Sequence, residues 1–517
     1  MKVLKVLVTI LCGVVLSEQV SSPSDDHYWA AVVEYEYTNF ETDSSEVYTA
    51  KSLQRYSDII LSKEVDPVDI LVFSEYGLSD TGMGSRVPDP GEGIVPCDSP
   101  EYGISVRNLS CLARDRQKYL VVNLAEIASC PMKGETRPCA KNGLYNFNSN
   151  VVFDRNGAVI ARYRKFNLYN EPKMNITLEA DLSVFKTDFG VEFGTFICFD
   201  LLFEKPALQL VRRGIKDFVY STMWFSDLPF LTAVQIQQGW AYANNVNFLV
   251  SGSNNPGIGS TGSGIYSGRR GPIVSYISYK NETKLYVAKV PKIDRTNAMV
   301  SKHQSTRYSP SEMAGMKTTR DQVETYVSEN LPLVSHKNYK TSLCQQDVCC
   351  NFTIDYSVNN VVNESNFYHY KLAAGDTSRS VNGFADIYIT TCAIMACSGS
   401  RPADCAVRFK NPSEVAEVIR FNSIEIEGVF GGNDEEVSLV PSNVDTSMLP
   451  LEVDEFHFSH KYNQPYHQVH YQLTKPRSDI FTFAIWGRRY KGVSRATKMF
   501  AFCAPLIYSA LLTNLYN

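Results

Sequence analysis

At 517 residues the chain is longer than a single hydrophobic core ordinarily serves, which predicts two domains. The net charge is only −5, and no basic stripe or repeated aromatic platform runs through it, which excludes a nucleic-acid-binding role. No low-complexity tract or internal repeat is present.

The first 16 residues, Met1 to Leu16, read as a basic start followed by a short apolar run. Small residues follow at Ser17 and Ser22, so residues 1–22 are expected to be a secretory signal peptide. The run is shorter than the roughly 20 apolar residues a membrane-spanning helix needs. Thirteen cysteines and the sequons at Asn108, Asn175, Asn281, Asn351 and Asn363 fit an extracellular glycoprotein. The cysteines expected in disulfides fall into two groups. Cys97, Cys111, Cys130 and Cys139 form the first, and Cys344, Cys349, Cys350, Cys392, Cys397 and Cys405 the second. Their spacing leaves the pairing open.

Strand-like runs at 30–33, 70–73, 119–122 and 195–197 alternate with helix-like stretches at 205–213 and 229–245. That alternation predicts an α/β layered domain over 23–300. Three of its segments carry chemistry. In Val68-Asp69-Ile70-Leu71-Val72-Phe73-Ser74-Glu75-Tyr76-Gly77, a strand apolar on both faces ends on a carboxylate and a turn glycine. Residues 151–165 form two strands around Asn156-Gly157, a strong hairpin signal, and end on Arg164-Lys165. In Glu192-Phe193-Gly194-Thr195-Phe196-Ile197-Cys198-Phe199-Asp200, an apolar run ends on a cysteine. This is the pattern of a nucleophile at a strand end, with the next backbone N–H placed for an oxyanion. A buried core cysteine has the same local sequence.

Together these segments resemble the nitrilase (carbon–nitrogen hydrolase) superfamily, whose members carry Glu, Lys and Cys in this order at strand ends. Residues 72–77, 161–169, 193–203, 245–249 and 261–266 resemble its biotinidase/vanin branch, and the likeness runs from about Tyr28 to Ile293. Two departures flank the triad. Ser74-Glu75-Tyr76-Gly77 stands where members of the family often have Pro-Glu-Asp-Gly, and Arg164 occupies the usual place of a His. They bear on substrate choice more than on catalysis.

The resemblance implies a four-layer αββα sandwich and an amidase with Cys198 as nucleophile. Glu75 is then the base (proton acceptor), and Lys165 the proton donor and oxyanion stabiliser. Glu171 matches an acidic pocket position of the branch, with Glu179 as competitor and a solvated loop as its other fate. No metal or organic cofactor is needed. The expected partner is a small-molecule amide: pantetheine, cleaved to pantothenate and cysteamine, or alternatively biocytin. An inactive surface-binding protein on the same scaffold would be signalled by a substitution in the triad. Pocket shape separates the two substrates, and the sequence does not give it. Nor does it give the oligomeric state.

The Gly-rich stretch 257–264 lacks a phosphate-loop ending and reads as a flexible rim to the pocket. Residues 301–342 are polar and charged, a crossing segment between domains. From 343 to 490 the chain is β-rich, and its six clustered cysteines suit disulfide staples better than zinc. The resemblance implies a vanin-like base domain here. His457, His460, His467 and His470 read as exposed hairpin residues rather than a metal site. Residues 491–517 end in a short apolar run behind small polar residues, as in a GPI-attachment signal. A final buried strand or helix of the base domain is the other reading. The chain is therefore expected outside the cell, membrane-held only through such an anchor, or secreted in soluble form.

Overall fold

The computed structural model describes residues 20–37, 43–79, 83–132, 134, 137–293, 305–359, 366–381 and 385–490. Most of the expected signal peptide, the whole 491–517 tail and Asn363 lie outside these residues. Ser21 is already buried, and its backbone N–H donates to Asp69.

The first domain contains β1 (His27–Glu36), β2 (Ile70–Val72), β3 (Tyr119–Ser129), β4 (Leu144–Phe153), β5 (Val159–Arg164), β6 (Val184–Lys186) and β7 (Glu192–Ile197). Then come β8 (Asp217–Thr222), β9 (Asp227–Leu228), β10 (Asn247–Asn254), β11 (Ser263–Ser267), β12 (Pro272–Tyr276) and β13 (Lys284–Pro291). All but β9 join one sheet folded into two halves. One half runs β5-β4-β3-β2-β1-β13 and the other β6-β7-β8-β10-β11-β12. They meet where β1 pairs in parallel with β10, Tyr35 against Ser253. Val32, Val72 and Val121 of the first half and Phe193, Val219 and Leu249 of the second share the core between them. Full burial of such a side chain is worth about 1.5–3 kcal/mol, which holds the halves face to face.

Helices cover both outer faces. On the first half, α1 (Ser45–Leu61) and α2 (Ile104–Arg116) bury Tyr56, Ile60, Leu109 and Ala113. On the second half lie the short α3 (Gln209–Arg212) and α4 (Ala233–Asn244). The layers are helix, sheet, sheet, helix, the expected αββα sandwich. With helices outside and the other half inside, β2 is buried on both faces, which is why 68–73 reads as an almost unbroken apolar run. The helix expected over 205–213 is regular only from Gln209. Lys205 is extended (φ −105°, ψ 129°), because the residue before a proline is pushed out of the α region.

The chain then crosses through α5 (Pro310–Met313) and β14 (Thr319–Arg320), which pairs with β9. Its second domain is a sandwich. One sheet holds β15 (Val327–Asn330), β18 (His369–Val381), β19 (Ala385–Cys397), β21 (Val437–Asp445) and β24 (Ile480–Arg489), in the order β15-β18-β19-β24-β21. The other holds β16 (His336–Gln345), β17 (Val348–Val358), β20 (Ile419–Gly431), β22 (Phe456–Asn463) and β23 (Tyr466–Leu473), in the order β16-β17-β20-β23-β22. Strands therefore begin before 343. Alternate residues of the edge strand β16 are exposed, and that polarity gave 301–342 the look of a crossing segment.

The sheet containing β24 is buried on both faces. Phe483 and Ile485 face the sister sheet, while Ala484 and Trp486 join Phe230 and Trp240 of the first domain. Helix α4 is consequently enclosed all round, and its glutamines must find partners inside. Gln235 donates to the Ser442 hydroxyl at 2.9 Å, and Gln238 donates to the Leu451 carbonyl at 2.7 Å. At Gly239 an added Cβ would lie 2.4 Å from the Pro441 carbonyl oxygen, so only glycine lets β21 approach.

Candidate active site

Each triad residue sits just past a strand end, where backbone pairing stops and a side chain can turn inward. Cys198 follows β7 and opens a tight helical turn over Cys198–Leu202. Its φ is +44°, a left-handed conformation rare for a residue with a side chain. The elbow is held from both sides. The Ile197 N–H donates to Asp200 at 3.1 Å, and the Tyr220 hydroxyl donates to the Cys198 carbonyl at 2.7 Å. Cys198 is the free cysteine among the described residues, and it is buried.

Lys165 leaves the end of β5, and Glu75 the turn after β2. The Lys165 ammonium lies 2.7 Å from Glu75 Oε1 and 2.6 Å from Glu171 Oε1. Both carboxylates are further pinned. Glu75 accepts from the Met223 N–H at 2.7 Å and from the Asn148 amide at 2.8 Å. Glu171 accepts from the Tyr76 hydroxyl at 2.6 Å and from the same Asn148 amide at 2.8 Å. Burial alone would push the Lys165 ammonium down, but Glu171 and Glu75 outweigh it and hold it well above the usual lysine range. Burial also opposes ionisation of Glu171, and Lys165 again wins, keeping that carboxyl below its ordinary value. Cys198 behaves oppositely. Burial first, and the Glu75 carboxylate second, push its thiol up despite Lys165. Burial and the Glu75 carboxylate therefore favour the neutral form of this thiol, beside a lysine–carboxylate cluster.

Glu179 is 86% exposed and its carboxylate lies 3.9 Å from the Lys205 ammonium. Tyr76 and Asn148 are the residues the sequence reading missed. In the sequence Tyr76 stands out only as a departure from the family pattern. Asn148 had a signal: Asn146, Asn148 and Asn150 alternate along the otherwise apolar β4, so one face meets a polar site. Asn123 completes the ladder, donating to Asn148 Oδ1 at 2.7 Å and accepting from the Tyr76 N–H at 2.9 Å. Arg164 turns to the other face of the sheet, pairs with Glu126 and lies over the Phe147 ring.

A cavity of about 100 Å³ opens at Cys198 between Phe199, Trp224 and Phe225. Its outer wall comes from beyond the first domain: Arg320 of β14, Arg379 of β18 and Ile387 of β19. Arg379 pairs with Asp227 of β9, and also with Asp321 at 3.1 Å. The glycine-rich stretch is not a rim of this cavity. The Thr261 hydroxyl, the Gly262 N–H and the Ser263 hydroxyl all donate to the wholly buried Glu34 carboxyl, which holds this end of the stretch inside the fold. His457, His460, His467 and His470 do lie on the β22–β23 hairpin, but His467 is buried. It points inward against the Asn433 carbonyl, with His460 2.9 Å away.

All ten cysteines expected in disulfides are paired: Cys97–Cys111, Cys130–Cys139, Cys344–Cys349, Cys350–Cys392 and Cys397–Cys405. Among the sequons, Asn108, Asn281 and Asn351 are exposed, while Asn175 is half-buried and accepts from the Asn146 N–H.

Comparison with known proteins agrees with this architecture. The carbon-nitrogen hydrolase family model matches residues 30–256, and the Vanin C-terminal domain model matches residues 316–492. The chain is 40% identical over 498 residues to Vanin-like protein 1 of Drosophila melanogaster, covering 92% of this chain and 88% of that one. It is 31% identical over 354 residues to the Pantetheinase of Homo sapiens, covering 67% and 65% of the two chains. To the Biotinidase of Takifugu rubripes it is 28% identical over 425 residues, covering 78% and 80%. The chain therefore belongs to the vanin-like proteins of the carbon–nitrogen hydrolase superfamily and is a hydrolase of carbon–nitrogen bonds.

Proposed function

We propose that this protein hydrolyses the linear amide of pantetheine, giving pantothenate and cysteamine, through a thioester on Cys198. The observation that carries the reading is the convergence of Glu75 and Lys165 on a cysteine presented at a left-handed elbow. Cys198 attacks the amide carbonyl while its proton passes to Glu75. The oxyanion forms against the Lys165 ammonium and the Phe199 N–H, donors worth about 3–4 kcal/mol each when preorganised. Collapse breaks the C–N bond, and Glu75 returns the proton to the departing amine. Water then gives a proton to Glu75 and attacks the thioester, and the released sulfur regains that proton. Glu171 offsets the Lys165 charge, so that the ammonium is retained in a buried site.

The cavity, about 100 Å³, is smaller than the roughly 300–1,000 Å³ of typical ligand sites. It suits one slim, unbranched end of an extended substrate, such as cysteamine. Relatives named Pantetheinase and Biotinidase support vitamin amides as the substrate class. Biocytin is the second reading. Side-by-side assays of the purified protein with pantetheine and a biocytin analogue decide between them, and turnover of neither would assign the site to another amide.

The same reading places the protein outside the cytosol, with glycans at the sequons and a GPI anchor replacing part of 491–517. Five disulfides support an oxidising compartment. Release from cells by phosphatidylinositol-specific phospholipase C tests the anchor, and a mature chain still carrying Cys503 would refute it.

A further inference from the structure

On the far side of β14 from Cys198 lies a second cavity, of about 580 Å³. That is within the range of small-molecule sites. Segments 310–320 and 406–419 form much of its wall. Thr319 and Arg320 line both cavities, so β14 is the partition between them.

The charges in this cavity are unevenly satisfied. The half-buried Arg408 guanidinium donates to the Met313 carbonyl at 2.7 Å and to the Met316 carbonyl, and among the described residues it meets no carboxylate. Burial holds its pKa below the usual arginine value. Lys317 and Lys410, both exposed, likewise take part in no ion pair among the described residues. Four cations, Lys317, Arg320, Arg408 and Lys410, face two acids in the lining, Glu417 and Asp479. Asp479 pairs with Arg477, and Glu417 accepts from the Ser478 hydroxyl. Arg320 pairs with Glu324. Against these uncompensated cations stand Tyr368, Phe409 and Val415. A half-buried guanidinium held only by neutral carbonyls, with two unpaired lysines beside it, favours an anion entering there through charge-assisted hydrogen bonds.

We propose that this cavity is a ligand site for a small amphipathic anion, a carboxylate carried on an apolar body. The head sits between Arg408 and Lys410, and the body lies on Tyr368 and Val415. Because the site shares β14 with the cavity at Cys198, its occupancy is felt by the substrate.

The test is a titration of the full-length protein with 8-anilinonaphthalene-1-sulfonate, itself an amphipathic anion. Saturable fluorescence at one dye per chain, displaced by octanoate, is expected. Lys410→Glu and Val415→Trp should each weaken it by about tenfold or more, with unchanged circular dichroism. Octanoate should also change KM for amide hydrolysis by about twofold or more in the wild type and not in Val415→Trp. Dye binding that survives both substitutions overturns the site. An octanoate effect that is absent, or that persists in Val415→Trp, overturns the coupling through β14. The dye titration uses no substrate, so its result stands apart from the choice between pantetheine and biocytin.

Discussion

Asp200 ties Asn167 to the cysteine elbow: its carboxylate accepts the Asn167 N–H at 2.9 Å and the Asn167 side-chain amide at 2.8 Å. The same carboxylate accepts from the Tyr163 hydroxyl and the Ile197 N–H. Tyr163 and Asn167 flank Lys165, and Ile197 precedes Cys198, so one buried group sets the lysine and the cysteine relative to each other.

That group makes stability depend on pH. Burial pushes the Asp200 carboxyl up from 3.8 to about 6. A raised carboxyl stabilises the fold fully below its unfolded pKa, and the contribution is lost as pH rises through the folded one. Between pH 4 and 6 the loss approaches about 3 kcal/mol for a shift of this size. Asp376 and Asp445 are pushed up to about 6 as well and add the same sign. Asp200→Asn cannot titrate, so the fall in Tm from pH 4 to 7 should be visibly shallower in the variant. Parallel Tm profiles would remove Asp200 as a source.

Cys198→Ala should abolish amide hydrolysis without unfolding the chain. Wild-type enzyme quenched early should show an acyl mass increase on Cys198. Full turnover by the alanine variant would sink the covalent route.

Lys165→Ala removes an oxyanion donor, and kcat should fall by about 100-fold or more. It also leaves Glu75 and Glu171 buried without their cation, which should cost roughly 3–5 kcal/mol in denaturant unfolding. A change in KM alone would instead assign Lys165 to ground-state binding.

Tyr76→Phe deletes a hydrogen bond to a charged acceptor, worth about 1.5–3 kcal/mol. We expect kcat to drop by about tenfold while KM moves less, because Glu171 loses a restraint on its hold of Lys165. Steady-state kinetics of the pair Tyr76→Phe and Glu171→Gln, with the double variant, would expose coupling if the two act through one another. Strict additivity would argue against it.

Cys350 on β17 and Cys392 on β19 join the two sheets of the second domain and close a separation of 42 residues. Chain-entropy arguments put such a link at about 4 kcal/mol. The double alanine variant should lose stability of that order in calorimetry. It should keep its catalytic cysteine chemistry wherever it remains folded.

The sequence by itself determined the strand-end cysteine, the Asn-Gly hairpin leading to Lys165, the layered α/β domain and a disulfide-bonded β-rich partner. These are local or periodic properties: an apolar run that stops, a turn dipeptide, an alternation of faces, a cluster of cysteines. Only the tertiary structure decided the rest. Glu171 rather than Glu179 meets Lys165 because the loop after β5 folds back onto Tyr76 and Asn148, residues 95 and 23 positions away. The second domain's strands begin before 343, since an edge strand exposes alternate residues and reads as polar linker. Arg379 closes the cavity at Cys198 from 181 positions downstream, a proximity that exists only because the sheet holding β18 packs on the first domain, with β21 against α4. Side chains meet in space through the alignment of strand ends, and sequence separation carries no record of that alignment.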